Sequence, residues 1–154
     1  MISISITPEP PDSDAAIQLI SELDNYLNEL PYTPESRHAF SVERLLREGV
    51  VFFVMRSEGE AVACGGVKLF DEYAEVKRMY VRPAYRGRGL GKGILNRLSE
   101  RAVENQLELL RLETGIYQTE AVKLYEAYGF KRRSPFGEYK EDPLSLYFEK
   151  SISR

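Results

Sequence analysis

Between Ala74 and Ala102 the chain passes from a strand-like run, through four glycines in seven residues (Gly87, Gly89, Gly91, Gly93), into an amphipathic pattern. Few folds accommodate that succession. Ala74–Val81 reads as a strand, and Pro83 cannot continue one. Leu90, Ile94, Leu95, Leu98 and Ala102 then recur at helical spacing. A strand must therefore turn through a glycine-rich bend into a helix that packs back on its sheet. Lys77, Arg78, Arg82, Arg86, Arg88, Lys92 and Arg97 all lie in this segment, with no acidic residue between them. The whole chain carries only −3, from 21 basic and 24 acidic residues. Outside Lys77–Arg97, 14 basic residues face all 24 acidic ones, a net −10.

The remaining pattern predicts a mixed α/β chain. Ile2, Ile4 and Ile6 alternate with polar residues as a first strand. Asp12 or Ser13 caps a helix reaching about Leu30, and a short helix covers 42–48 before Gly49. Runs 50–55 and 61–70 are strands joined by a turn at Ser57–Glu60. Strands follow at 107–112 and 144–148, with another near 130–133, and a helix covers 120–128. The order is an antiparallel meander followed by β-α-β-α units. At 154 residues a single domain over 1–154 is expected.

Several function classes are excluded. The longest apolar run, Val50–Met55, is far short of the ~20 residues that cross a bilayer. The N-terminus lacks the basic and long apolar parts of a signal peptide. A single Cys64 and a single His38 argue against disulfides and against a metal site. The expectation is a soluble cytoplasmic protein without membrane partner.

The turn itself is an anion site. Glycines let backbone N–H groups approach a ligand, and the helix N-terminus adds partial positive charge. A G-x-G-x-x-G fingerprint from Gly87 fails at Lys92, and a P-loop fails at Arg86 and Gly93. The pattern that fits is R-x-x-G-x-G, Arg86-Gly87-Arg88-Gly89-Leu90-Gly91. Downstream, Gln118-Thr-Glu-Ala121-Val-Lys-Leu124-Tyr125-Glu-Ala-Tyr128-Gly129-Phe130 is similar to N-x-x-A-x-x-L-Y-x-x-x-G-F, with Gln118 or Thr119 in place of the Asn. In these two motifs, 39 residues apart from Arg86 to Tyr125, the chain resembles the GCN5-related N-acetyltransferase (GNAT) superfamily. The segment Pro135–Lys150 looks like a subgroup of small bacterial acetyltransferases.

The resemblance implies a GNAT fold: a mostly antiparallel mixed sheet flanked by helices, with strands 4 and 5 splayed. It implies acetyl-CoA as co-substrate, no metal, and acetyl transfer to a primary amine by direct attack in a ternary complex. The implied cofactor contacts are Met79, Tyr80 and Val81 on the strand, then Arg86, Gly87, Arg88, Gly89, Leu90, Gly91 and Lys92 in the turn, and Gln118, Ala121 and Tyr128 beyond. Glu75 matches a position that serves as general base, and Tyr125 one that serves as general acid to the thiolate. Arg37 and His38, in the loop between the first helices, are candidates for the acceptor site. The acceptor is a small-molecule or peptide amine, and a homodimer is common among small members.

Strict alternation along Ala74–Val81 would put Glu75, Lys77, Met79 and Val81 on one face and Val76, Arg78 and Tyr80 on the other. Cys64 sits in an apolar strand without a local base and reads as a packed residue, not a nucleophile. Two alternatives stay open: a non-catalytic acyl-CoA-binding protein on this fold, and a nucleic-acid-binding module using Lys77–Arg97. The second is disfavoured because its basic residues are divided among strand, turn and helix.

Overall fold

The computed structural model describes residues 3–37 and 40–153. They form strands β1 (Ile4–Pro8), β2 (Val51–Ser57), β3 (Glu60–Leu69), β4 (Ala74–Val81), β5 (Leu109–Gly115), β6 (Lys131–Arg133) and β7 (Ser145–Ser151). The helices are α1 (Asp14–Asn28), α2 (Val42–Arg47), α3 (Leu90–Glu104) and α4 (Thr119–Tyr128). Ser13 and Ser41 start α1 and α2 by accepting the N–H of Ala16 and Arg44, each at 3.1 Å. Glu58 and Gly59, both at positive φ, close the β2–β3 hairpin. β5 runs to Gly115, three residues beyond the predicted end, and β7 begins one residue later and ends three later than expected.

One sheet of order β1-β2-β3-β4-β5-β7-β6 forms, antiparallel except at β4–β5. Helices cover both faces. Ala16, Leu19, Ile20 and Leu23 of α1 and Leu45 of α2 pack with Phe52, Val54, Cys64 and Tyr80. Ile94, Leu95, Leu98 and Ala102 of α3 pack with Phe53, Met55, Val76, Leu112 and Phe148 on the other side. β2 is therefore buried on both faces, which is why Val51–Met55 is continuously apolar.

Two irregularities in β4 shape the molecule. Cys64 pairs with Tyr80 and Gly66 with Lys77, so Arg78 and Met79 both stand against Gly65. This is a β-bulge, and Arg78 occupies it at φ +55°. The extra residue reverses the side-chain parity beyond it. Met79 and Val81 join Val76 on the α3 face, while Arg78 and Tyr80 turn toward α1. Strict alternation thus holds only up to the bulge, and its grouping of Met79 and Val81 with Glu75 and Lys77 is corrected. Gly65 leaves the room: a Cβ there would lie 2.7 Å from Met79 Sδ and 2.8 Å from Ile94.

The second irregularity is separation from β5. The parallel ladder holds only Ala74–Leu110 and Glu75–Arg111. Beyond Glu75 the strands diverge, as the family resemblance implies. Ion pairs hold the far part of β4 to α1 instead. Arg82 bonds both carboxylate oxygens of Glu22, at 3.0 and 2.8 Å, and Arg78 pairs with Asp24.

Candidate active site

The turn between β4 and α3 is an unsatisfied cradle. Gly87 and Gly89 both stand at φ +79°, a conformation that L side chains adopt only with strain. Among the described residues, no protein acceptor takes the backbone N–H of residues 87 through 92. Charge points the same way. α1, α2 and α4 each carry an acid in the first turn (Asp14, Glu43, Glu120), the favourable sign for a helix N-terminus. α3 carries none, and Lys92 stands there with Arg86 and Arg88 just ahead. Cations at the positive end of a helix are unfavourable until an anion sits between them. Gly91 acts differently. A Cβ on it would meet Leu124 Cδ2 at 2.7 Å, so the bare glycine lets α3 and α4 approach closely.

A cavity of about 260 Å³ opens from this cradle along β4. Met79, Tyr80 and Val81 line it from the strand. Arg86, Gly87, Gly89, Leu90, Gly91 and Lys92 line it from the turn, and Gln118, Ala121 and Tyr125 from α4 and its approach. Leu23 and Tyr26 of α1 close it, two residues that sequence reasoning missed because only the fold brings α1 here. Arg86 is anchored by a 3.0 Å bond from Nε to the Val81 carbonyl. Arg88 and Tyr128 do not line the cavity. Arg88 is exposed and lies over the Tyr85 ring. Tyr128 donates to Asn96 Oδ1 at 2.8 Å and meets Ser99 Oγ at 3.1 Å, tying α4 to α3. Arg97 of α3 is half-buried, with its guanidinium 4.8 Å from the Phe53 ring centre.

Where β4 and β5 part, a wedge of about 100 Å³ continues from the cavity. Tyr125, Met79 and Gln118 line both spaces. Tyr125 is buried against Phe130 and Phe148, and its hydroxyl makes no hydrogen bond among the described residues. Burial pushes its phenol well up, so it stays protonated. Glu113 lies across the wedge on β5. Burial pushes its carboxyl up to about 7, only partly opposed by the Ser145 hydroxyl and the Lys77 charge. Nothing in the sequence singles out Glu113 beyond its being a carboxylate in a strand.

Glu75 is 3% exposed and borders the wedge from β4. Its Oε2 accepts a 2.6 Å hydrogen bond from Tyr139 and lies 2.9 Å from Lys77 Nζ. Lys77 also donates to the Tyr139 hydroxyl at 3.2 Å. These three residues line a further cavity of about 890 Å³ on the opposite side of the wedge. Arg37 borders that cavity, but two of its donors serve α1: Nη1 and Nη2 bond the carbonyls of Leu27 and Leu30 at 3.1 and 3.0 Å. His38 lies outside the described residues. Cys64 is buried, its thiol pushed up to about 12 by desolvation, which removes it as a nucleophile. Among the described residues no cluster of His, Cys, Asp or Glu could hold a metal ion, and no helix is long and apolar enough to cross a membrane.

Comparison with known proteins agrees with this geometry. The acetyltransferase (GNAT) family model matches residues 18–130. The IAA acetyltransferase of Azospirillum brasilense is 43% identical over 154 residues, covering 99% of this chain and all of its own. A crystal structure from Klebsiella pneumoniae, described as an acyl-CoA N-acyltransferase, superposes with TM-score 0.81 at 34% identity, covering 97% of each chain. The PaiA N-acetyltransferase of Thermoplasma acidophilum, solved with coenzyme A, shares the fold at TM-score 0.79 and 21% identity, over 97% of this chain and 99% of its own. With a splayed strand pair and these relatives, the chain is an N-acetyltransferase and belongs to the GNAT family.

Proposed function

We propose that this protein transfers the acetyl group of acetyl-CoA to a primary amine, by direct attack in a ternary complex. The observation that carries the reading is the continuity of the three spaces. The wedge shares Tyr125 and Gln118 with the cradle's cavity, and Glu75, Lys77 and Tyr139 with the larger one. A donor and an acceptor entering from opposite sides would meet between Tyr125 and Glu75. That is the proximity that turns a two-molecule reaction into a local one.

The chain's residues fit acetyl-CoA. The free N–H groups of 87–92, with Arg86 and Lys92, would hold the pyrophosphate. The open edge of β4 around Met79 and Val81 would bond the pantetheine arm and polarise the thioester carbonyl. Acetyl-CoA supplies the activated acyl group, and everything else falls to the protein. Glu75 takes the proton that an ammonium acceptor must lose before its nitrogen can attack. Glu113, poised near neutrality on the facing strand, is a second proton acceptor in reach of the same space. Tyr125 donates its hydroxyl proton to the departing thiolate and regains the one that nitrogen sheds as the C–N bond forms and the C–S bond breaks. One ammonium and one thioester become one amide, one thiol and one released proton.

The test is thiol release from acetyl-CoA across amine classes. Release that depends on an added amine supports the reading. Tight coenzyme A binding with no release from any class overturns it.

A further inference from the structure

We infer that the large cavity beside Glu75 is built for an acceptor that carries a carboxylate one or two carbons from its amine, an amino acid or a close homologue. The inference rests on the proposed acetyl transfer and adds the acceptor's class to it.

Lys68 and Glu75 are direct Cα partners across β3 and β4. Their side chains therefore leave the same face with Cβ atoms about 4.5–5.5 Å apart, and both line the cavity. An amine placed at Glu75 thus has a cation within one short molecular length. Arg44, from α2, stands beside it. Its Nε donates to Glu48 Oε2 at 2.6 Å, and Lys68 pairs with the other oxygen of the same carboxylate. Lys68 and Arg44 hold the Glu48 carboxyl down at about 2, so Glu48 remains ionised. Two cations on one anion leave this trio one positive charge. The terminal nitrogens of Arg44 donate to no described protein group. Arg37 and Glu35 also line the cavity and offset one another in charge, and the hydrogen bonds of Arg37 go to backbone carbonyls.

The opposite wall has the other sign. Residues 137–142 bring Glu138, Glu141 and Asp142 to the cavity against Lys140 alone, and this is the wall from which Tyr139 bonds Glu75. Lys77 and Glu75 cancel one another at the floor. The cavity is therefore bipolar, with its negative side and proton acceptor together and its positive side a cross-strand step away. A simple amine would leave the one positive charge of the Arg44–Lys68–Glu48 trio unbalanced. A zwitterion matches both walls at once, and the half-buried Phe70 offers apolar surface for its carbon skeleton.

The deciding experiment is an acetyl-CoA thiol-release assay. Valine, methionine, phenylalanine and β-alanine are each compared with the amine of the same skeleton lacking the carboxylate. Coenzyme A binding is titrated in parallel. For at least one pair the amino acid should exceed its partner roughly tenfold or more in kcat/KM, the size expected of a charge-assisted contact. Arg44→Gln and Lys68→Gln should each pull that ratio toward one. Equal or better use of the carboxylate-free amines overturns the inference while leaving acetyl transfer standing. No transfer to any amine, with coenzyme A still bound, overturns the proposed function and this inference with it.

Discussion

Tyr139 donates a 2.6 Å hydrogen bond to Glu75 Oε2, the same oxygen that Lys77 meets at 2.9 Å. The tyrosine comes from the loop before β7, 64 residues away in sequence, and fixes the carboxylate at the mouth of the wedge. Burial and the Glu75 charge push the Tyr139 phenol well up, so it remains a donor at every working pH. Glu75→Gln should lower kcat about 10²-fold or more. Tyr139→Phe keeps the carboxylate and loses only its fixed orientation, so it should cost roughly tenfold. Steady-state kinetics at saturating acetyl-CoA separate the two, and equal losses would argue that Tyr139 itself handles the proton.

At the cradle, Arg86→Ala combined with Gly89→Asp removes a charge, adds an opposing one and strains a left-handed position. The KM for acetyl-CoA should rise at least roughly tenfold, with the larger share lost when salt is low. An unchanged KM would remove the pyrophosphate from this turn.

Tyr125→Phe keeps the ring packed between Phe130 and Phe148 and deletes the hydroxyl. Turnover should fall about 10-fold to 10²-fold while coenzyme A affinity, read by calorimetry, changes little. Loss of affinity with normal turnover would make the hydroxyl a binding contact only.

Glu113 makes a pH-dependent prediction. Its carboxyl is raised from 4.5 to about 7 in the folded chain. Below pH 4.5 both folded and unfolded forms hold the proton, and this group's contribution to stability is greatest. Between 4.5 and about 7 only the folded chain retains it, so stability declines as pH climbs through that window and is level above it. Glu113→Gln escapes the decline. Its melting temperature relative to the parent should climb by a few degrees from pH 4.5 to pH 8, and a constant difference would place Glu113 in water.

Gly115 makes a packing prediction. A methyl group there would collide with the Tyr32 hydroxyl oxygen, which also accepts the Tyr117 N–H at 3.0 Å. Gly115→Ala should destabilise the fold by about 1–3 kcal/mol. Adding Tyr32→Ala should recover part of that, the non-additivity that contact residues show in a double-mutant cycle. Additive losses in denaturant titrations would deny the contact.

Much of this architecture was legible in the residues. The strand-turn-helix succession at 74–102 and the helix ending at Gly129 follow from local rules: periodicity, caps and glycine at positive φ. The parity of β4 was not legible, because the bulge is held by a long ion-paired arginine, Arg78, and not by a glycine that would announce it. Tyr139 and Glu113 were missed for a related reason. Each acquires meaning only from a neighbour far away in sequence, Glu75 in one case and the burial made by splayed strands in the other. Arg37 shows the converse. A charged loop residue that looks free in sequence has two donors engaged on the carbonyls of Leu27 and Leu30, where α1 ends.

The short β4–β5 ladder gives this protein an edge strand in the middle of a sheet. Past Glu75, among the described residues, the flank of β4 has no backbone partner on β5, and a ligand lying along it would complete the sheet there. Amide hydrogens there should exchange quickly in the empty protein and slow when coenzyme A is added, while those facing β3 change little. A bound arm would then serve as the missing rung of the sheet, and ligand occupancy could be read directly from the backbone's own protons.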